Sequence, residues 1–306
     1  MSDIAEPLHI AEASYVFSAD PHEVRFSYSK PEDSLWKRIF VRGIERLTGQ
    51  PQLERMYRAW SAEEDHEGDN IFKAGLRLMK ITIDVNKRAL LAAPQEGPLL
   101  IIANHPFGIV DGLSVMELAL RIRPDVKIMV HSLLCQPPEA KTYLLPVDFT
   151  NTPEARATSA ATRRRSVDWL ERGHCLVIFP AGGVATTEKA FSELATDPSW
   201  HEFVARLAKM PALNILPMFF HGQNSRLFQI ASHSYYPLRI ALLFRESARR
   251  MGGRIKVTVG EAISGASLPH GEGRKAVMKS LRRSTYALGG RDGEAEFVWP
   301  KHINWD

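Results

Sequence analysis

The sequence predicts an α/β fold with a central sheet, mostly parallel or mixed, flanked by helices. Two continuously apolar stretches, 99–103 and 175–179, predict strands that are buried on both faces. Helical patterns alternate with these and other apolar strands along the middle of the chain. That alternation is typical of a largely parallel sheet covered by helices.

The chain has 306 residues, of which 44% are hydrophobic and 24% charged, an ordinary globular composition. No Gly-, Ser- or Pro-rich linker divides its middle, so we expect one large α/β domain with additions at both ends. The predicted boundaries are 1–69 for an N-terminal arm with amphipathic helices, 70–265 for the α/β domain and 266–306 for a C-terminal helix and aromatic tail. The net charge of +4 permits anionic lipid, acidic carrier proteins or nucleic acid as partners and does not choose between them.

Membrane-targeting signals are not evident in the sequence. The first residues lack a basic region followed by an apolar run, so no signal peptide is expected. No run of about eighteen apolar residues occurs, so no membrane span is expected either. We therefore expect a protein that is soluble or lies on a membrane surface.

Three helices are predicted before the sheet, at 34–47, about 53–60 and about 70–80. The first has a broad apolar face and a basic face; the apolar members are Leu35, Trp36, Ile39, Phe40, Ile44 and Leu47, and the basic ones Lys37, Arg38, Arg42 and Arg46. This pattern has two interpretations. The helix either packs on the protein's own core with a solvated basic face, or lies on anionic lipid.

The remaining elements follow from apolar periodicity. Strands are predicted at 81–85, 99–103, 126–131, 143–147, 175–179, 214–220, 239–244 and 254–259, and helices at 112–122, 153–172, 199–209 and 273–288. Pro217 in mid-strand favours an edge strand or a bulge. The aromatic tail residues Phe297, Trp299 and Trp305 are expected to pack on the body, and Cys135 and Cys175 to be buried thiols.

A polar turn follows the first buried strand directly. It contains Asn104, His105, a proline, a glycine and Asp111, and Asp111 is predicted to be the N-cap of the next helix. Turns in this position often hold the chemistry of α/β enzymes. A His and an Asp on one turn can act as a general base and its orienting carboxylate. The alternative is an ordinary turn with a packed histidine.

A second turn, Phe179-Pro180-Ala181-Gly182-Gly183-Val184, follows the other buried strand. Its two glycines bring backbone N–H groups close to anything bound there, and such groups could stabilise an oxyanion. The alternative is an ordinary glycine-rich turn. The chain lacks a Gly-x-Ser-x-Gly elbow, a Gly-x4-Gly-Lys phosphate loop and a Gly-x-Gly-x-x-Gly dinucleotide turn.

Together the two turns resemble the motifs of the glycerolipid acyltransferase superfamily, of the lysophosphatidic-acid acyltransferase type. Asn104, His105 and Asp111 match its Asn-His-x4-Asp motif, and Phe179, Pro180 and Gly182 match its Phe-Pro-Glu-Gly-Thr-Arg motif. The apolar strand with Pro217 and the strand ending at Gly260 match two further features, so the resemblance covers about residues 80–262. The 105–112 and 219–225 stretches resemble a subgroup labelled hemolysins, some of which acylate lyso-ornithine lipids.

The chain departs from that pattern at three points. Five residues separate His105 from Asp111, where the family has four. The family's Glu is Ala181 here and its Arg is Val184, two positions associated in the family with binding the acceptor's phosphate. The run from Arg163 to Arg165 is either a solvated helix face or a binding surface for an acidic carrier protein or lipid phosphate.

The resemblance implies an O-acyltransferase of membrane lipid synthesis, for phospholipid or ornithine lipid. It would move a fatty acyl chain from a thioester of acyl carrier protein or coenzyme A to a lysolipid hydroxyl, with no metal or other cofactor. The expected catalytic residues are His105 and Asp111; the expected substrate-binding residues are Asn104, Phe107, Gly108, Phe179, Pro180, Gly182, Gly183, Arg163 and His221. The protein would act from the cytoplasm, peripherally on the inner face of the membrane, without nucleic acid. A non-catalytic lipid-binding protein and a thioesterase remain the alternatives.

Overall fold

The computed structural model describes residues 24, 26–27, 29, 34–63, 69–148 and 152–299. A mixed sheet flanked by helices forms its centre, which confirms the predicted α/β class. The strands are β1 (Thr82–Val85), β2 (Leu99–Ala103), β3 (Val126–His131), β4 (Leu144–Val147), β5 (Cys175–Ile178), β6 (Thr186–Thr187), β7 (Ala195–Thr196), β8 (Asn214–Phe220), β9 (Arg254–Val259) and β10 (Ile263–Ser264). The main sheet has the order β1-β9-β8-β2-β5-β3-β4, and β10 pairs with β8 beside β9.

Five neighbouring strands of this sheet, β8, β2, β5, β3 and β4, run parallel. β9 is antiparallel to β8, and β1 is parallel to β9. The carboxyl ends of β2, β5 and β8 therefore meet at one edge of the sheet, where ligands bind in open α/β folds. The turns that follow β2 and β5 carry the two motifs of the sequence, so the topology brings those motifs together.

Helices cover both faces of the sheet. They are α1 (Leu35–Leu47), α2 (Gln50–Ser61), α3 (Ile71–Leu78), α4 (Lys87–Leu91), α5 (Ile109–Ile122), α6 (Pro153–Glu171), α7 (Phe203–Leu207), α8 (Arg226–Ser232), α9 (Tyr236–Arg249) and α10 (Arg274–Ala287). Residues of α2, α3, α4 and α5 enter the core on one face, and residues of α6, α7 and α10 enter it on the other. In the described part of the chain, no helix is both long and apolar enough to cross a bilayer.

Helix α1 forms as predicted, and its apolar stripe is exposed except at Ile44, which packs against a buried cluster of the body. Trp36 and Leu47 are 81% and 88% exposed, while the buried positions of the helix are Val41 and Glu45. The Phe40 ring makes an edge contact with the Tyr235 ring at 5.6 Å between centroids. The helix also packs on the body through α9, so the structure leaves both interpretations of its amphipathic pattern open.

Helix α10 has the opposite arrangement. Its apolar residues, including Val277 and Leu281, are buried against the sheet. Several of its cations pair with acids: Lys279 and Arg283 with Glu294, and Arg274 with Glu202. Any attraction of α10 to anionic lipid is therefore electrostatic only.

One sequence prediction of secondary structure is wrong, and of the two alternatives for Pro217, an edge strand or a bulge, the structure excludes the edge strand. The segment 239–244 is not a strand but part of α9, because the apolar run continues in a helix of 14 residues with a proline in its first turn. Pro217 is not on an edge strand, because β8 pairs with β2 on one side and with β9 and β10 on the other. Pro217 itself lies where the partner changes from β9 to β10, so its missing N–H costs no ladder hydrogen bond there.

The described part of the tail packs on the body as expected. Phe297 is buried, and its ring meets the Trp299 ring at 4.7 Å between centroids. Trp299 in turn packs against Gly183, since a side-chain carbon added at Gly183 would lie 3.3 Å from the indole ring. Trp305 lies outside the described residues.

Candidate active site

The first turn brings a histidine and a carboxylate together at the end of β2. Nδ1 of His105 lies 3.0 Å from Oδ2 of Asp111, so the fifth intervening residue does not prevent the pairing. Asp111 is completely buried, and the same oxygen accepts backbone N–H groups of Phe107 (2.7 Å) and Gly108 (3.0 Å). Gly108 has φ of +78°, a conformation that side chains rarely adopt, and this allows the sharp entry into α5.

Asp111 is not the N-cap that the sequence predicts. The helix α5 begins at Ile109 with Gly108 as N-cap, so Asp111 is its third residue. From there the carboxylate reaches back to the N–H of Gly108, which satisfies one of the unpaired donors of a helix start. The helix thus fixes the carboxylate that faces His105.

Burial raises the pKa of the Asp111 carboxyl, while the neighbouring imidazole and the two backbone N–H groups act against that rise. The His105 side chain is 17% exposed, so its ring can reach a bound molecule. Its Nδ1 is at ion-pair distance from Asp111 without the alignment of a linear hydrogen bond, and Oδ1 of Asp111 has no hydrogen-bond partner among the residues that the structure describes. Catalytic pairs often align fully only with substrate bound. The pair can act as a base with its orienting carboxylate.

The second turn packs directly on this pair. The Phe179 ring stacks on the His105 ring, with centroids 4.1 Å apart. The N–H of Ala185 donates to the carbonyl of His105 at 2.7 Å, which joins the two turns. The N–H of Gly182 is not free to hold an oxyanion, because it donates to the Phe179 carbonyl at 3.0 Å. Of the two glycines in the turn, this leaves Gly183, which packs against Trp299, as the candidate for the backbone N–H that holds an oxyanion.

Asn104 and Phe107 have structural partners. The Asn104 amide makes two hydrogen bonds with the backbone of Phe220, at the end of β8. The guanidinium of Arg250 lies 3.9 Å from the centroid of the Phe107 ring. Arg250 also donates to the Gln223 carbonyl at 2.6 Å, and its charge acts on Asp111. Asn104 and Phe107 therefore shape the turn that carries His105.

Buried residues that the sequence did not single out surround this centre. The His105 N–H donates to Oδ1 of Asp197 at 3.1 Å, and Nε1 of Trp200 donates to Oδ2 at 3.0 Å. Asp197, Arg282 and Tyr286 are all nearly or fully buried. The only local signal is an Asp-Pro-Ser-Trp stretch at 197–200, which indicates a turn and not a partner for His105.

A buried arginine supports the loop after the second turn. Arg239 donates to the Val184 carbonyl (2.6 Å), to Thr186 Oγ1 (2.7 Å) and to Ser232 Oγ. Its guanidinium also lies over the Phe228 and Trp299 rings. Burial lowers the pKa of the Arg239 guanidinium to about 9. The side chain is committed to holding this loop.

Two predicted substrate-binding residues lie apart from the pair. Nε2 of His221 bonds Thr258 Oγ1 on β9 at 2.8 Å. Arg163 is exposed on α6, and the pKa of His201 is lowered by the burial of His201 itself and by the charge of Arg163. The N–H of His201 donates to the Pro180 carbonyl at 2.9 Å, which fixes the second turn from its far side in sequence. Within the described ranges, no three His, Cys, Asp or Glu residues group closely enough to hold a metal ion.

No family model matches the chain, and no curated protein sequence matches it. Among solved structures, the chain is similar to the crystal structure of the 1-acyl-sn-glycerophosphate (LPA) acyltransferase PlsC from Thermotoga maritima. The TM-score is 0.44 and the sequence identity 15%, over 82% of this chain and 88% of that chain. The likeness concerns the fold alone.

Proposed function

We propose that the protein is an O-acyltransferase that moves a fatty acyl chain from a thioester to the hydroxyl of a lysolipid. The observation that carries this proposal is the approach of a partly exposed His105 to the buried Asp111 at the carboxyl edge of the sheet, 3.0 Å apart. The motif resemblance of both turns supports the same reaction. No metal or other cofactor takes part in it.

The proposed reaction needs one base and no acyl-enzyme. The imidazole of His105 takes the proton of the acceptor hydroxyl while that oxygen bonds to the thioester carbonyl carbon. Collapse of the tetrahedral intermediate breaks the carbon–sulfur bond, and the imidazolium returns the proton to the departing thiolate. Asp111 holds the ring in one tautomer and stabilises its positive charge during this step.

The two substrates would reach this centre from different surroundings. The exposed apolar stripe of α1, with basic residues beside it, fits a protein that works peripherally on the cytoplasmic face of a membrane and takes a lysolipid from it. The donor would be a thioester of acyl carrier protein or coenzyme A. The exposed run from Arg163 to Arg165 on α6 is a surface to which either acidic donor could be attracted.

The test follows thiol release from an acyl thioester, with and without lysolipid, for both donors. We expect release that depends on lysolipid, together with a two-chain lipid product detected by mass spectrometry. His105→Ala should lower the rate about 10²–10⁴-fold. His174→Ala is the matched control, because that histidine pairs with Asp125 outside the site and its loss should leave the rate unchanged.

Two outcomes would overturn the proposed function, and a third would reject only the proposed mechanism. Thiol release at full rate without lysolipid would indicate a thioesterase. The absence of release with every donor, combined with saturable lysolipid binding, would indicate a non-catalytic lipid-binding protein. Full activity of a folded His105→Ala protein would reject the assigned mechanism.

A further inference from the structure

The backbone of His105 is held by a second carboxylate. His105 is the second residue after β2, and its N–H donates to Oδ1 of Asp197 at 3.1 Å. Asp197 lies on the segment after β7, far from His105 in sequence, and is fully buried. Its other carboxylate oxygen accepts the indole N–H of Trp200 at 3.0 Å. Both oxygens are thus bonded, one of them to the candidate base.

The main chain of Asp197 is clamped from the C-terminal part of the chain. Its N–H donates to the Tyr286 hydroxyl at 2.9 Å. Its carbonyl accepts from Arg282 and from the N–H of Phe297, each at 3.0 Å. Arg282 itself also binds the carbonyls of Pro198, Gly293 and Ala295. Helix α10 and the tail therefore fix the position of this carboxylate.

Two buried carboxylates lie next to His105. Asp111 faces the ring and Asp197 faces its backbone, while Arg250 acts on Asp111 and Arg282 acts on Asp197. Burial raises the pKa of Asp197, and the charges of Arg282 and His105 act against that rise. An apolar residue would avoid the cost of burying this carboxylate. The bond from this buried carboxylate to the His105 N–H points to a role in the site.

We propose that Asp197 is a positioning residue for His105: it holds the backbone of the base so that the ring meets the acceptor hydroxyl in the reactive orientation. The inference rests on the proposed acyl transfer. It assigns the C-terminal helix and the described part of the tail an indirect part in the site, through Asp197.

The kinetic test is Asp197→Asn, which keeps the size of the side chain and removes its charge. Because a small misplacement of a base affects turnover more than binding, we expect kcat to fall about 10–100-fold and KM to change less than about 3-fold. Asp125→Asn is the matched control. Asp125 is also a paired carboxylate, but it binds Arg123 and His174 before β3, at the amino ends of the parallel strands. Its variant should keep the wild-type kcat.

A spectroscopic readout tests the contact independently of turnover. In protein labelled with ¹⁵N-histidine, the amide proton of His105 is expected downfield, as a donor to a carboxylate. In Asp197→Asn it should move upfield, and in Asp125→Asn it should stay. If wild-type protein releases no thiol, the proposed function fails, and the amide signal still decides whether Asp197 holds His105.

A milder variant covers the case in which Asp197→Asn does not fold. Trp200→Phe removes the indole donor and leaves the carboxylate, so we expect a shifted His105 amide signal and a fall in kcat of about 3–10-fold at unchanged KM. The proposal is overturned if the amide signal does not move in the folded variants. It is also overturned if the signal moves and kcat stays at the wild-type value.

Discussion

The side chain of Asn104 continues the ladder between β2 and β8 one step beyond the last backbone pair. Its Nδ2 donates to the Phe220 carbonyl at 3.0 Å, and its Oδ1 accepts the Phe220 N–H at 2.7 Å. An amide side chain thus replaces a peptide group where the backbone turns away to form the site. Asn104, the residue before His105, therefore acts as a structural clamp between the ends of β2 and β8.

Replacing Asn104 with alanine should destabilise the fold. The change leaves the N–H and carbonyl of Phe220 without their partners in a buried place, and each such group costs about 1–3 kcal/mol. Denaturant unfolding followed by circular dichroism would measure the loss. Asn214→Ala, at the other end of β8 and half-buried, is the control and should cost less than about 1 kcal/mol. Equal stability of the two variants would contradict the clamp.

Asp111→Asn should lower activity strongly while the fold persists. The amide oxygen can take the place of Oδ2 and accept the same two backbone N–H groups, but the amide carries no charge to stabilise the imidazolium. We expect kcat to fall at least about 10²-fold in the thiol-release assay, with Asp125→Asn unchanged. A kcat near wild type in folded Asp111→Asn protein would show that the pairing has no catalytic role.

Membrane binding should depend on the apolar stripe of α1. The double variant Trp36→Glu and Leu47→Glu removes two of its most exposed apolar side chains, and we expect at least about 10-fold weaker sedimentation with anionic vesicles. Leu91→Glu is the control, since Leu91 is a similarly exposed residue on α4. If the unmodified protein binds vesicles equally well whatever the lipid charge and the salt concentration, an interfacial role for α1 would be contradicted.

The acceptor head group should not be a simple phosphate. Val184 is buried and uncharged where the resembled family has its Arg, and the nearby Arg239 is committed to the loop. A phosphate placed there without a cation would carry a heavy desolvation cost. Direct competition with one thioester donor should therefore favour lyso-ornithine lipid over glycerol 3-phosphate and lysophosphatidic acid, by about 10-fold or more in kcat/KM. A preference for glycerol 3-phosphate would show that Val184 does not determine which head group is accepted.

Both cysteines should resist alkylation in the folded protein. Burial raises the pKa of Cys135 and of Cys175 to about 12, above the ordinary value of 9.0. At pH 9 only about 0.1% of each thiol would then be thiolate, the reactive form. Mass spectrometry after iodoacetamide treatment at pH 9 should find no label in native protein and two labels after unfolding in guanidinium. Rapid labelling of native protein would show that one thiol is accessible.

The parts of the fold that the sequence predicted correctly depend on local patterns. The strands β2 and β5 are continuous apolar runs, and the pairing of His105 with Asp111 needs only one turn of chain. The segment 239–244 was mispredicted because a short apolar run is equally compatible with a strand and a buried helix. Helix α8 was not predicted at all, because seven residues give too little periodicity.

The contacts that complete the site could not be predicted in this way. Asp197 meets His105 only because β2 and the segment after β7 come to the same edge of the sheet. Arg282 and Tyr286 look like one cation and one aromatic residue of an amphipathic helix, and only the packing of α10 aims them at Asp197. Contacts between residues so far apart leave no local pattern in a single sequence, so they cannot be predicted from it.

The contact between Phe297 and Asp197 also has a consequence for synthesis. A ribosome makes β2, His105 and Asp111 long before it reaches Phe297, whose N–H closes the last bond to the Asp197 carbonyl. A nascent chain can therefore form the central strands and still have an unfinished site. In this structure the Asp197 carbonyl has all its partners only when the segment around Phe297 is in place, so the support of the His105 backbone depends on a part of the chain that is made late.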